Sequence, residues 1–343
     1  MGNVTIYDIA KEAKVSPATV SRVLTGNAKV NPEKEKTIRG LIEKYNFRPN
    51  AFAKNLIGGY SRLIGLIVAD IRNPFYAELC VACENAAKKS GYRVLLCNAY
   101  SDKSIEVDSL DLFASHRVEA VIQIGCSVDE LREDPEYVRR INRLTMPFIS
   151  TSKLNGADMY TFGIDHVACI NIAFGYLRKL GHERIAMLGG WNSVRSTYEK
   201  RCQYIYLLGM NNIPLRGGYI QDCDYDFKGG YSSMEKLLSL GERPTAVIAV
   251  NDYSAVGAIS ALNASGLMCP DDISIVSHDN SFLAGLSTPG LTSLDYGYEK
   301  LGEGLISTAI NTIAGAAAPR EAYATPTLVE RESARAAADV RGK

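Results

Sequence analysis

Pro17, Ala18, Ser21 and Arg22 share one face if the stretch VSPATVSRVL, Val15 to Leu24, winds as a helix at about 100° per residue. Ser16 is placed to cap that helix, and Pro17 suits its first turn, where a missing N–H costs nothing. Small residues at the leading end let the backbone approach a flat edge of donors and acceptors. Arg22 can donate two parallel hydrogen bonds to guanine O6 and N7. Thr5, Tyr7, Ser16, Thr19 and Ser21 carry hydroxyls suited to phosphate oxygens, contacts that position a protein on a duplex without reading its sequence.

A second polar set follows the apolar runs of the rest of the chain. Phe75 and Tyr76 come after LIGLIVAD; Trp191, Arg195, Thr197 and Arg201 come after RIAMLGG. Tyr225 lies in DCDYDF, Asn251 and Asp252 follow AVIAV, and His278, Asp279 and Asn280 end ISIVS. Amide and charged groups converging with aromatics are the chemistry of holding a hydroxyl-rich molecule. Strand-end Asn and Asp also cap following helices, which is the competing reading of each residue taken singly. His116, His166 and His182 sit at expected helix ends or turns and read as structural. His278, beside Asp279, reads equally as ligand-facing or structural.

The elements that must position the first set are three short helices. YDIAKEA offers Ile9, Ala10 and Ala13 as an apolar stripe for Val20 and Leu24, and KVS is a turn of the length that joins two steeply crossing helices. Asn31 and Pro32 open a third helix whose core side is Ile38, Leu41, Ile42 and Tyr45. The spacing predicts a helix-turn-helix with the polar face of its second helix in a major groove. Charge agrees: residues 1–62 hold 11 Lys+Arg against 5 Asp+Glu, a balance of +6, while the remainder holds 27 against 33, a balance of −6. A basic head on an acidic body fits a polyanionic partner. PNAFAKNL, ended by Gly58-Gly59, is a linker or a short helix that folds on docking. Its Leu56 could wedge between base steps of the minor groove.

From Leu63 onward, apolar runs alternate with amphipathic helices, the pattern of parallel sheets covered on both faces. Parallel sheets bind ligands at the carboxyl ends of their strands. The body is too long for one compact sheet, so two lobes are expected. Of the eight cysteines, only Cys80 and Cys83 are close. With no second pair to complete a zinc site, packed thiols in a reducing compartment are expected. The amino end lacks an apolar signal region and no run is long enough to span a membrane, so a cytoplasmic location is expected. GGWNS and GGYSS lack the lysine of a phosphate loop, no G-x-S-x-G elbow occurs, and QDCDYD lacks the spacing of a calcium loop. No catalytic residue, metal or cofactor is expected, and the chain is not read as an enzyme.

VTIYDIAKEAKVSPATVSRVLTGNAKV and RPNAFAKNL resemble the head and hinge of the LacI/GalR family of bacterial transcription regulators. The resemblance implies Pro17, Ala18 and Arg22 at base edges, Asn50 and Ala53 in the hinge segment, and Leu56 as the wedge. It implies a homodimer on a palindromic operator. It also implies an effector site at Arg195, Thr197, Arg201, Tyr225, Asn251 and Asp279, with Phe75, Tyr76 and Asp165 less firmly matched. The implied domains are a helix-turn-helix head at 1–48, a hinge at 49–61 and a body at 62–333 of periplasmic-binding-protein type, followed by a frayed tail at 334–343. Lobe one takes 62–161 and 293–325; lobe two takes 162–292 and 326–333. Two departures stand out: Ser152 replaces an acid common in the family, and KRCQYIYLL lacks a glycine, which rotates later helix positions by about 100°. The expected function is a repressor switched by a sugar or sugar derivative. A nucleobase effector, a protein co-regulator and a transport-type sugar-binding protein are the alternatives.

Overall fold

The structure, a computed structural model, describes residues 4–25, 30–47 and 60–337. It divides into two compact units, Met1–Ser61 and Arg62–Lys343. The expected hinge residues Asn50, Ala53 and Leu56 lie outside the described residues.

The first unit holds α1 (Ile6–Glu12), α2 (Pro17–Thr25) and α3 (Pro32–Lys44). α1 starts at a reciprocal capping box: the Thr5 N–H donates to the Asp8 carboxylate at 2.8 Å, and the Asp8 N–H donates back to the Thr5 hydroxyl at 3.4 Å. Lys14 takes a left-handed φ of 53° in the turn that brings α2 across α1. Asn31 caps α3, accepting from the Glu33 N–H at 2.9 Å, with Pro32 at the first helical position. Ile9, Ala10, Val20, Val23 and Ile38 form the buried centre, so every helix contributes to one small core.

The second unit carries two six-stranded sheets. The lobe-one sheet runs β2-β1-β3-β4-β5-β11 and is parallel throughout. Its strands are β1 (Leu63–Val68), β2 (Arg93–Asn98), β3 (Ala120–Ile124), β4 (Phe148–Ser150), β5 (Tyr160–Ile164) and β11 (Glu321–Ala324). The lobe-two sheet runs β7-β6-β8-β9-β10-β12, with only β12 antiparallel. It is built of β6 (Ile185–Leu188), β7 (Ile220–Gln221), β8 (Ala246–Ala249), β9 (Ser274–Asp279), β10 (Thr292–Asp295) and β12 (Thr327–Val329). Central strands β3, β6 and β8 are buried along their whole length, as expected for sheets covered on both faces. The helices that matter for the site are α4 (Pro74–Lys89), α5 (Lys103–Ser115), α6 (Pro135–Ile141), α7 (His166–Lys179), α8 (Arg195–Met210), α9 (Phe227–Leu238) and α10 (Asp252–Ala264). α9 and α10 approach closely because Gly230 lies where any Cβ would meet the Ser254 carbonyl oxygen at 1.9 Å.

Three expectations need correction. The lobe limits at 161/162 and 292/293 fall inside strands: β5 pairs with the lobe-one strand β11 through Ile164, and β10 pairs with β9 through Asp295, so the chain crosses after those residues. Residues 334–337 are not frayed. Arg335 donates its N–H to the Ser274 hydroxyl at 3.1 Å, the Ala337 N–H reaches the Leu180 carbonyl at 2.9 Å, and Arg335 pairs with Asp271. His182 receives this segment through the Arg335 carbonyl at 2.9 Å.

Candidate functional site

In the head, Tyr7 is 71% exposed, Ala18 and Arg22 are exposed, and Pro17, Thr19 and Ser21 are half-buried. The inward positions of α2 are Val20 and Val23, which frees the opposite face for a partner. Some candidate hydroxyls already serve the fold. Thr5 donates to Asp8 at 2.6 Å, and the Ser16 and Thr19 hydroxyls lie 2.9 Å apart at the start of α2.

In the body, a cavity of about 550 Å³ opens between the two sheets at the carboxyl ends of their strands. Lobe one contributes Phe75, Tyr76, Asp129 and Ser152; lobe two contributes Lys200, Tyr225, Asn251 and Asp279. Each is set by a strand end. Asn73 caps α4 by accepting from the Phe75 N–H at 3.1 Å, which starts the helix carrying both aromatic rings just beyond β1. Asn251 accepts from the Ser254 N–H at 2.9 Å and donates its own amide to the Tyr225 carbonyl at 3.0 Å, tying two walls together. Asp279 ends β9 with a φ of 99°, a left-handed conformation that turns the chain at the cavity floor. Gly190, with a φ of 75°, leaves room for Thr197: a Cβ there would sit 2.4 Å from its hydroxyl.

The electrostatics follow from burial. Asp279 is pushed up to about 8 by loss of solvent and then by the neighbouring Asp252 carboxylate, against the pull of Lys200. Asp252 lies behind it and is fully buried; Ser277, Ser281 and Ser293 donate hydroxyls to it at 2.5, 2.9 and 2.7 Å. Asp129 is also raised by burial, opposed by donors on Ser196 and Ser152. Burial lowers His166 well below the ordinary imidazole range, and Lys200 adds to that. Burial raises Tyr225 to about 12.

The structure brings Phe75, Tyr76, Tyr225, Asn251 and Asp279 together around the cavity, but not the other four expected residues. Arg195 turns to lobe one instead, donating to Glu133 at 2.9 Å. Thr197 is fully buried and its hydroxyl lies 2.7 Å from the Tyr225 hydroxyl, so it sets that ring. Arg201 is consumed inside lobe two by Asp222 and by the Gly190 carbonyl at 2.8 Å. α8 runs unbroken, so Arg201 remains on its inner face with Thr197, Lys200, Tyr204 and Leu208. Asp165 is exposed and caps α7, accepting from the Ala168 N–H at 2.8 Å.

The structure places the two strand-end histidines differently. His278 is buried in β9, bound to the Ala249 carbonyl at 2.7 Å, and does not line the cavity. His166, expected to be structural, does line it. Sequence reasoning also missed Asp129, Lys200 and Tyr296. Lys200 and Arg201 are adjacent in one helix, and only the three-dimensional turn shows which of the two faces the cavity. Asp129 supplies a carboxylate beside Ser152, whose hydroxyl donates to it at 2.8 Å.

The cavity is flanked by a latch between lobes. The Ser196 hydroxyl donates to Asp129 at 2.6 Å, the Leu131 N–H donates to the Ser193 carbonyl at 2.7 Å, and Glu130 bridges Val194 in antiparallel fashion. Asp129 is aimed from behind by a buried network. Glu106 accepts from Gln123 at 2.7 Å and from the Ser127 hydroxyl at 3.0 Å, and Tyr137 donates to Gln123 at 2.5 Å. All eight cysteines are free thiols, five of them buried. Among the described residues no cluster of three or more His, Cys, Asp or Glu could hold a metal, and no helix is long and apolar enough to cross a membrane.

A helix-turn-helix unit and a two-lobed body with a polar cavity at its strand ends, carried on one chain, define a DNA-binding transcription regulator. Residues 5–50 match the family model for bacterial regulatory proteins of the lacI family, and residues 174–334 match the periplasmic binding protein-like domain. Catabolite control protein A of Priestia megaterium is 33% identical over 294 residues, 85% of this chain and 87% of that protein. The HTH-type transcriptional repressor PurR of Mannheimia succiniciproducens is 30% identical over 337 residues, 96% of this chain and 98% of that one. The chain belongs to the lacI family of bacterial regulatory proteins. In fold it is similar to the Lac repressor dimer bound to operator and an anti-inducer, with a TM-score of 0.86 at 24% identity, covering 98% of this chain and 100% of that one. It is likewise similar to the transcriptional regulator CelR–cellobiose complex, with a TM-score of 0.71 at 22% identity over 96% of this chain and 99% of that one.

Proposed function

We propose that the protein is a ligand-responsive repressor. It binds a palindromic operator as a homodimer through Pro17, Ala18 and Arg22, with Thr5, Tyr7, Ser16, Thr19 and Ser21 on phosphates and Asn50, Ala53 and Leu56 in the hinge. A sugar or sugar derivative in the interlobe cavity is its effector, and control of carbohydrate use is its role. The observation that carries this reading is the position of the cavity: its walls come from both lobes and include Asp129, which also latches one lobe to the other. A ligand there has different contacts in open and closed arrangements, which is what shifting an equilibrium requires. The relative from Priestia megaterium, a catabolite control protein, supports the carbohydrate reading.

Phe75 meets Tyr76 at 74° and Tyr296 at 85°, edge contacts within one aromatic wall of the cavity. Tyrosine hydroxyls, carboxyls and an ammonium around these rings suit a ring of hydroxyls.

Fluorescence anisotropy of a labelled palindromic duplex, titrated with full-length protein at several salt concentrations, tests the DNA arm. The same titration with saturating effector tests the switch. A coupling of about 1–3 kcal/mol is expected, equal in both directions. Superimposable curves with and without bound effector would remove the regulatory reading.

A further inference from the structure

We propose that His166 is a ligand-binding residue, and that it selects an uncharged, hydroxyl-bearing effector over an anionic one. This rests on the reading of the cavity as the effector site. His166 is the first residue of α7 and lines the cavity, while its Nδ1 is buried with no hydrogen-bond partner among the described residues. A buried ring nitrogen left unmatched is costly, and such groups mark places where a ligand completes the set.

The surrounding charge decides what completes it. The two arginines that could have met an anion do not line the cavity and are largely engaged: Arg195 is held by Glu133 and Arg201 by Asp222 and two backbone carbonyls, each keeping one buried Nε without a partner among the described residues. Arg72, at the rim, is paired with Asp70 at 2.6 Å. Among the described lining residues that leaves Lys200, which faces two buried carboxyl groups, Asp129 and Asp279, with Glu130, Asp224 and Asp226 also on the walls. A phosphate or carboxylate would enter a lining with more acid than base and would only accept hydrogen bonds. It would want both ring nitrogens of His166 protonated, which burial and Lys200 oppose. A neutral imidazole has one N–H and one lone pair, so it matches a hydroxyl, which both donates and accepts. Asp129 serves as an acceptor for further hydroxyls and Lys200 as a donor, while Asp279, raised to about 8 by burial, both donates and accepts below that pH.

The test is thermal-shift and calorimetric titration of the full chain with glucose, galactose, ribose and cellobiose, alongside glucose 6-phosphate and gluconate. At least one uncharged sugar should raise Tm, and the anionic members should not. For the sugar that binds, His166→Ala should weaken affinity roughly tenfold, the scale of one lost hydrogen bond in a buried site. His166→Gln, which keeps a donor and an acceptor, should recover part of that loss and serves in its place if the alanine variant does not fold. Unliganded Tm should move little in either. Tight binding of an anionic member, affinity unchanged in both variants, or no response to any uncharged sugar would each overturn the proposal. An anion that binds and alters operator affinity would sink this selectivity while leaving the regulatory function standing. A sugar that binds through His166 without altering operator affinity would do the reverse.

Discussion

Ser196 and Asp129 belong to different lobes and share a hydrogen bond of 2.6 Å, reinforced by the Ser196 N–H to the other carboxylate oxygen at 3.2 Å. A hydroxyl donating to a carboxylate is among the stronger hydrogen bonds available to a protein. It exists only while the lobes are together, so it biases their equilibrium without contributing to either lobe alone.

Ser196→Ala should therefore weaken effector affinity by about 1.5–3 kcal/mol, the range for hydrogen bonds to charged groups. Calorimetry measures the affinity, and scattering measures the mean lobe separation, which should increase. Glu133→Gln, which loosens Arg195, should act in the same direction and less strongly because that pair is partly exposed to solvent.

Stability should depend on pH through Asp279. Its carboxyl is raised to about 8 in the folded protein, chiefly by burial. The folded state thus holds a proton that the unfolded chain releases near pH 3.9. Stabilisation from this group is complete below that lower value and is lost as pH climbs towards 8. Asp279→Asn, which stays neutral, should flatten the decline in urea midpoint between pH 5 and 8. A decline of equal slope in the variant would assign it to other groups.

The head has a core of five buried side chains and little stability to spare. Ile38→Ala should cost about 2–5 kcal/mol there. Specific operator binding should be lost in anisotropy assays, while effector affinity, a property of the body, stays unchanged.

Truncation discriminates the two parts of the carboxyl-terminal segment. Removing residues 334–343 deletes the Arg335 and Ala337 contacts, including the Arg335 carbonyl that meets His182, so Tm should fall by several degrees, about 2–4 °C per kcal/mol for a domain of this size. Removing only 338–343 leaves those contacts intact and should leave Tm in place.

The apolar runs make β1, β6, β8 and β9 readable from sequence, because central parallel strands buried on both faces draw heavily on Val, Ile, Leu and Ala. β5, β10 and β11 were harder. YTFGI and TSLD mix polar and apolar residues because they lie towards sheet edges or the site, and the lobe limit drawn through β5 is corrected only by its pairing with β11. The head was readable because a three-helix unit of this size needs every signal it has: cap, turn and stripe. In the site, residue type pointed to the right neighbourhood but not to the right direction. Arg195 and Arg201 have the chemistry for a ligand, yet each sits beside a carboxylate that the sequence places far away, Glu133 and Asp222. His166, which reads as structural, and His278, which reads either way, are hard to place from sequence for a related reason. An imidazole beside a strand end can face the sheet interior or the cavity, and the choice depends on one turn of backbone.

The link between Leu131 and Ser193 runs through peptide groups, not side chains. Peptide groups are indifferent to substitution. Wall residues other than Asp129 and Ser196 could therefore be exchanged for a new small molecule while the peptide seam went on closing the lobes, so that recognition could change over evolutionary time with part of the switch retained.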